Sequence, residues 1–564
     1  MINLRCCRFN LQRVLRGSPG RAAATAAAAL FLHGCAAGPD FKRPAAPTAQ
    51  TYTPAPVPAT TASADVQGGA AQHFDPNRDI PFDWWTLFRS PQLNALIARA
   101  FKANPDIASA QAALRQAQAY VTAQRGYFYP TVGAGFSPSR TKLAGNMGGN
   151  SPGVQGNGHI IQTYSNPAGP APYNGPAYYN FYTAQVNVGY VPDVFGGNRR
   201  AVESAQAQAE AQRYALEATY ITLASNIVAA ALQEAALRAQ IAATEKIVSS
   251  SQEDLAIMRK QKDLGYVSAL DVAQQASAAA EAEQALIPLR KQLAQTRDLI
   301  RALAGNPPDK DVPETFELSS LHLPEALPLS LPSRLVEQRP DVRMAEAQLH
   351  AASAEYGVSI ANRLPQFAIT GAAGGNADAL GWMFRTGGGF FDLALDVSQV
   401  LFDGGTLRAK SHAAQEAMHQ AGAQYRSTVI TAIQNVADTL YAIQYDADAL
   451  KAAADSEQAM RLTRDITQKQ YAVGYVSYQQ YLVAEQNYQQ TEIALVQAQT
   501  NRYGDTAALY QALGGGWWNR DKAGAAPTSA PQPAAAQPAA PAANAQPAQG
   551  ENTAPQPTAP GVAK

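Results

Sequence analysis

The chain has 564 residues, and its 44 Lys and Arg balance its 44 Asp and Glu, so no net basic field is present to gather nucleic acid. Charged residues make up only 16%, and Ala and Gln abound. Two of the three cysteines, Cys6 and Cys7, fall in an N-terminal targeting segment, which excludes a disulfide framework or a cysteine-based metal site in the mature chain.

The N-terminus carries Arg5, Arg8, Arg13, Arg16 and Arg21, followed by an apolar run at 22–32 that is too short to span a bilayer as a helix. The run ends in Leu32, His33, Gly34 and Cys35, which resembles a bacterial lipobox with Leu32 and Gly34 as cleavage signals. Residues 1–34 then form a signal peptide, and Cys35 receives a covalent, palmitate-type lipid. An ordinary secretory signal with a chance cysteine is the alternative. Ala36, after the cysteine, permits outer-membrane sorting. Residues 35–80, rich in Ala, Pro and Thr, are expected to form a lipid-anchored extended tether. No later apolar run reaches the length of a transmembrane helix, but a β-barrel strand needs only about 10 alternating residues.

Between this tether and an Ala/Pro/Gln-rich tail at 516–564, expected to be disordered, the sequence reads as two consecutive copies of one unit, 81–310 and 311–515. Asn-Pro-Asp-Ile at 104–107 matches Arg-Pro-Asp-Val at 339–342, and Pro130 and Pro365 follow at the same interval. Each copy opens with a helix, near 106–125 and 341–363, with proline in its first turn. Alternating segments follow. Ala184, Val186, Val188 and Tyr190 oppose Gln185, Asn187 and Gly189; Leu393, Leu395 and Val397 oppose Asp392, Asp396 and Ser398. This period of two predicts strands with one apolar and one polar face. Weaker partners lie at Val132, Ala134 and Phe136 and at Phe367 and Ile369, with aromatics such as Tyr127, Tyr129, Phe391 and Phe402 at the segment ends. The first copy is the longer, through a Gly/Pro/Asn-rich loop near 138–177. A stretch at 198–264 without Gly or Pro, and one at 406–473 with only Gly422, predict helices on the order of 100 Å long. Each ends in Gly-Tyr-Val-Ser, at Gly265, Tyr266, Val267 and Ser268 and at Gly474, Tyr475, Val476 and Ser477, before a return helix to 304 or 513. The glycines allow the reversal and close approach, and the serines suit N-caps.

Four strands cannot close a transmembrane barrel, because the smallest single-chain bacterial barrels use eight and an open edge in lipid leaves backbone groups unpaired. Either several chains share one barrel or the strands lie outside a membrane, and the apolar and polar faces favour the first. The stretches at 35–44, 84–107, 339–365 and 401–405, with the two Gly-Tyr-Val-Ser turns, resemble the outer-membrane factor family of TolC/OprM/NodT-type efflux lipoproteins over about 35–515. The resemblance implies an α+β membrane protein: a trimeric 12-stranded β-barrel, four strands per chain, continuous with a long periplasmic α-helical barrel. It implies an outer-membrane channel of a tripartite efflux system, conducting drugs or toxic small molecules from an inner-membrane pump and a periplasmic adaptor. The pump is of the resistance-nodulation-division or major-facilitator type.

In that family the paired turns are adaptor-docking tips; ordinary hairpin turns are the plainer reading. Family members often carry acidic gate residues after the second tip, but the matching places hold Gln480 and Val483, with Glu485 out of phase. Asp271 after the first tip matches an acidic position, as a pore ring or as an ordinary exposed helical Asp. Nucleophile-elbow, P-loop and zinc-protease motifs are missing from the sequence, and His412 with His419 lack a third ligand, so neither an enzyme nor a metal or other cofactor is expected. Two further readings remain: a type I protein-secretion duct, and a lipid-anchored periplasmic coiled-coil scaffold without a pore.

Overall fold

A computed structural model describes residues 36–49, 51–76, 78–142 and 178–523. The signal peptide with Leu32 and Gly34, the lipidation candidate Cys35, most of the expected loop at 138–177 and the tail beyond 523 lie outside the described residues. In chain order the elements are β1 (His73–Asp75), a 3-10 turn (Trp84–Phe88), α1 (Pro91–Ala103), α2 (Pro105–Gly126), β2 (Thr131–Lys142) and β3 (Tyr178–Tyr190). Then come α3 (Gly197–Asp263), α4 (Ala269–Leu303), β4 (Ala326–Pro328), α5 (Pro332–Gln338) and α6 (Pro340–Ala361). The last are β5 (Gln366–Ala377), β6 (Gly389–Ser398), α7 (Thr406–Ala472) and α8 (Tyr478–Ala512).

Local chemistry sets the helix starts. Pro91, Pro105 and Pro340 occupy first turns, where a missing N–H costs nothing. Ser90 caps α1 by accepting from Leu93 N–H, and the Asn104 side chain accepts from Asp106 N–H at 2.8 Å. The long helices α3 and α7 have 67 residues each and run about 100 Å. Their return partners α4 and α8 have 35 residues each. α3 is the hub, packing on α2, α4, α6 and α8, while α7 packs on α6 and α8. α3 does contain an 18-residue window of mean hydropathy 1.4, but 61% of that window is buried inside the protein, which marks a core helix. Within it, Glu234 is fully buried and held by Arg238 at 2.7 Å and Arg297 at 3.4 Å.

The four long strands form one antiparallel sheet in the order β2-β3-β5-β6. Paired residues share a face. Ala134 lies opposite Val186, Val186 opposite Ala373, and Ala373 opposite Phe391, so an apolar row crosses the whole sheet. One residue along, Gly133, Asn187, Ala372 and Asp392 make the matching row on the other face. The expected alternation is therefore present and in register across all four strands.

The segments outside the hairpins and the sheet form a belt packed on the long helices. β1 pairs with β4 in parallel, and Trp84, Phe88, Phe316, Tyr503 and Tyr510 are fully buried beside them. Trp84 stacks on Tyr510 of α8 with ring centroids 5.3 Å apart, so the Trp84–Trp85 pair anchors this segment to the helices. Arg502, 0% exposed, reaches from α8 to Thr61 Oγ1 at 3.1 Å and Ala70 O at 2.7 Å.

Two boundary expectations change. Residues 36–49 lack regular structure but lie on the body instead of hanging as a free tether. Arg200 binds Asp40 at 2.7 Å, Phe41 stacks on His350 at 4.3 Å, and Arg43 meets Glu346 at 2.9 Å. Gly357 permits this contact, since a Cβ there would meet Ala37 O at 3.0 Å. At the other end, the tail does not begin at 516. Residues Trp517–Ala523 form a 3-10 turn in which Trp517 Nε1 donates to Gln338 O at 2.6 Å. Asn519 there is buried and donates to Ile80 O at 2.8 Å. Aromatic and amide side chains supply the contacts of this stretch.

Candidate functional site

The two hairpin tips are built alike. α3 and α7 each end in a glycine with left-handed backbone, Gly265 at φ 82° and Gly474 at φ 75°. Gly265 N–H donates to Lys262 O at 2.9 Å and Tyr266 N–H to Gln261 O at 2.8 Å. Gly474 and Tyr475 repeat the pattern onto Tyr471 O and Gln470 O, at 2.9 and 2.8 Å. This double bond closes off the last helical carbonyls. A Cβ at either glycine would meet nothing within 4 Å, so the reversal requires glycine and close approach within the chain does not. Val267 and Val476 are half-buried under the turns, whereas Tyr266 and Tyr475 are 80% and 81% exposed. Leu264 and Val473 are exposed beside them, leaving each tip with an uncovered apolar point.

Ser268 and Ser477 then start the return helices, each through a reciprocal capping box. Ser268 donates from its backbone N–H (2.9 Å) and its hydroxyl (2.7 Å) to the Asp271 carboxylate, and Asp271 N–H donates to Ser268 Oγ at 3.2 Å. Those donors hold the Asp271 carboxyl below the usual carboxylate range. Gln480 does the same work in the second tip: Ser477 N–H donates to Gln480 Oε1 at 3.1 Å. Asp271 and Gln480, two of the gate candidates, are thus equivalent capping residues. Of the others, Val483 is exposed on α8, and Glu485 accepts from Gln489 Nε2 at 3.0 Å.

A cluster that no local pattern announced joins the hairpins just inside the tips. Tyr471 stacks on Tyr481 at 5.8 Å and meets Tyr478 edge-on at 5.3 Å. Asp254 of α3 lies beside them, its carboxyl raised by burial. Burial pushes the Tyr481 hydroxyl up to about 12, and Glu485 and Asp254 add to the shift. The tyrosines at 471, 478 and 481 were visible in the sequence, but their meeting with Asp254 depends on how α3 packs against α8. His412 and His419 flank Glu416 on exposed α7, at 3.9 and 3.3 Å.

The sheet is the second functional surface. Val132, Phe391, Leu393, Leu395 and Val397 are exposed on its apolar face, and Asp392 and Asn187 point to the other. β2 and β6 are its edges, with no further strand partner among the described residues.

Comparison with known proteins agrees with this geometry. The toluene efflux pump outer membrane protein TtgC of Pseudomonas putida is 28% identical over 415 residues, 74% of this chain and 79% of that protein. The pyoverdine export outer membrane protein OpmQ of Pseudomonas aeruginosa is 27% identical over 434 residues, 77% of this chain and 87% of that one. Among solved structures, the outer-membrane channel OprN superposes with a TM-score of 0.72 at 24% identity, covering 86% of this chain and all of the other. The CmeC outer membrane channel of Campylobacter jejuni gives 0.73 at 20% identity, covering 86% and 95%. These two likenesses establish the fold. Residues 96–306 and 331–515 match the family description "outer membrane efflux protein", and the chain belongs to that family of outer-membrane channels, which are not enzymes.

Proposed function

We propose that this chain is the outer-membrane duct of a tripartite efflux system, passively conducting small molecules delivered by an inner-membrane pump and a periplasmic adaptor. Three copies join their four-stranded sheets into one 12-stranded barrel, and their helices continue it as an α-helical barrel. Each chain contributes two copies of one helix–strand–hairpin unit, and a lipid on Cys35 adds an anchor in the outer membrane. The six apolar tips around Tyr266 and Tyr475 receive the adaptor. Relatives named for cargoes as different as toluene and pyoverdine support a duct whose selectivity resides in the partner pump.

The observation that carries this reading is the open sheet with an apolar outer face. An unpaired edge cannot stay in lipid, so β2 of one copy must meet β6 of the next. Val132 and Val397 sit at the same end and on the same face of those edges. Cysteines at 132, scanned against cysteines at 395, 397 and 399, should give disulfide-linked trimers in intact outer membranes at one register. Monomers alone at every register, in a folded and membrane-inserted protein, would sink the shared barrel.

A further inference from the structure

A cavity of about 660 Å³ opens in the belt, away from the sheet and the tips. Its wall carries Arg78, Arg89, His73 and His322, and Glu325 is the one acidic residue lining it. Backbone bonds fix their places. His322 N–H donates to Phe88 O at 3.0 Å, which sets it beside Arg89, and His73 N–H donates to Glu325 O at 2.8 Å.

Two features distinguish this wall. Arg99, Arg200, Arg297, Arg339 and Arg520 are each ion-paired to carboxylates of this chain. Arg78, Arg89 and Glu325 all line one cavity, and none of the three is in an ion pair among the described residues. Arg89 is also the only non-glycine residue with positive φ among the described residues, at 52°. A bulky side chain in left-handed backbone is strained where glycine would be easy, and such strain collects at functional positions.

We infer that this cavity binds an acidic peptide that also carries a free amino group. Each guanidinium forms a two-pronged pair with one carboxylate of the ligand, and the imidazoles add N–H donors. Glu325 takes the ammonium group, which accounts for one carboxylate in a wall that otherwise carries arginines and histidines. A phosphate ligand would leave Glu325 as pure repulsion. Two sources share this chemistry: free periplasmic peptides and the stem peptides of the cell wall.

The test uses the full chain purified in detergent. Calorimetry with the free tripeptide alanyl-glutamyl-diaminopimelate should show saturable binding that weakens with salt. Arg89→Gly removes the guanidinium and suits the left-handed backbone, so folding is spared. Arg89→Gly and Arg78→Gln should each weaken binding at least about tenfold. Glu325→Gln should abolish the preference for the tripeptide over a form acetylated on its diaminopimelate amine, the amine that both sources carry free. Co-sedimentation with purified wall sacculi, lost in Arg89→Gly, assigns the wall as the source; tripeptide binding without co-sedimentation assigns free peptides. No saturable binding of either probe, or variants that bind like the parent, overturns the site. Loosening of the trimer by Arg89→Gly without any ligand effect also overturns it, because the arginines then pair with a neighbouring copy.

Discussion

Ser268 and Ser477 do the same job with different partners, and the difference is titratable. The Asp271 carboxyl is depressed by the donors of Ser268 in the folded tip. A depressed carboxylate stabilises the fold above its ordinary pKa of about 4, and that contribution disappears as pH falls through the lowered value. Gln480 has no proton to gain. Acidification from about pH 5 to about pH 3, across that range, should therefore raise amide exchange at Asp271 and Val272, after correction for intrinsic rates. Gln480 and Tyr481 should change little. A parallel change at both tips would refute the charged cap. Ser477→Ala, which removes a neutral cap, should loosen the second tip by about 1 kcal/mol at any pH. Both turns were legible as Gly-Tyr-Val-Ser, and Ser268 with Asp271 three residues on already spells a capping box. The tyrosine cluster was not legible, since Tyr481 and Asp254 meet only through packing of distant helices.

At the scale of elements, legibility followed how unbroken each pattern is. β3 and β6 alternate cleanly and read directly from the sequence. β2 and β5 are diluted by Gly133, Gly135, Gly371 and Gly374, whose missing side chains erase the period. α3 and α7 read as helices from their lack of breakers, and α4 continues through Pro288. β1 and β4, three residues each and over 200 residues apart in the chain, leave no local trace of their pairing. The two faces of β6 yield a paired prediction. Leu393 is 76% exposed on the apolar side, and Asp392 lies on the other. Leu393→Arg places a charge in lipid at a cost of about 2–4 kcal/mol near the bilayer midplane. Trimer recovered from outer membranes should fall, and heat-resistant bands on gels will measure it. Asp392→Asn should assemble normally but reduce cation over anion selectivity in planar bilayers. Normal assembly of the arginine variant would reverse the assignment of faces.

For the whole molecule, the equal lengths of the two hairpins matter more than either length alone. α3 and α7 share 67 residues and α4 and α8 share 35, with the tip glycines in the same place in each. Helices rise 1.5 Å per residue, so equal lengths measured from the sheet bring both tips to one level. A heptad inserted into both arms of one hairpin keeps its packing stripe in phase but displaces its tip by about 10 Å. If adaptors dock on a level crown, lengthening the first hairpin alone, in α3 and α4 near Asp263 and Ala269, should abolish efflux. Barrel assembly should be spared, because the insertion lies far from the sheet. Lengthening the second hairpin alone should do the same. Lengthening both by one heptad restores a common level and should recover much of the resistance to exported compounds, with the adaptor again captured by crosslinkers at Ser268 and Ser477. If single and double insertions are equally inactive, absolute reach governs docking. If the single insertions remain active, the tips act independently and the matched lengths reflect ancestry, with no mechanical role.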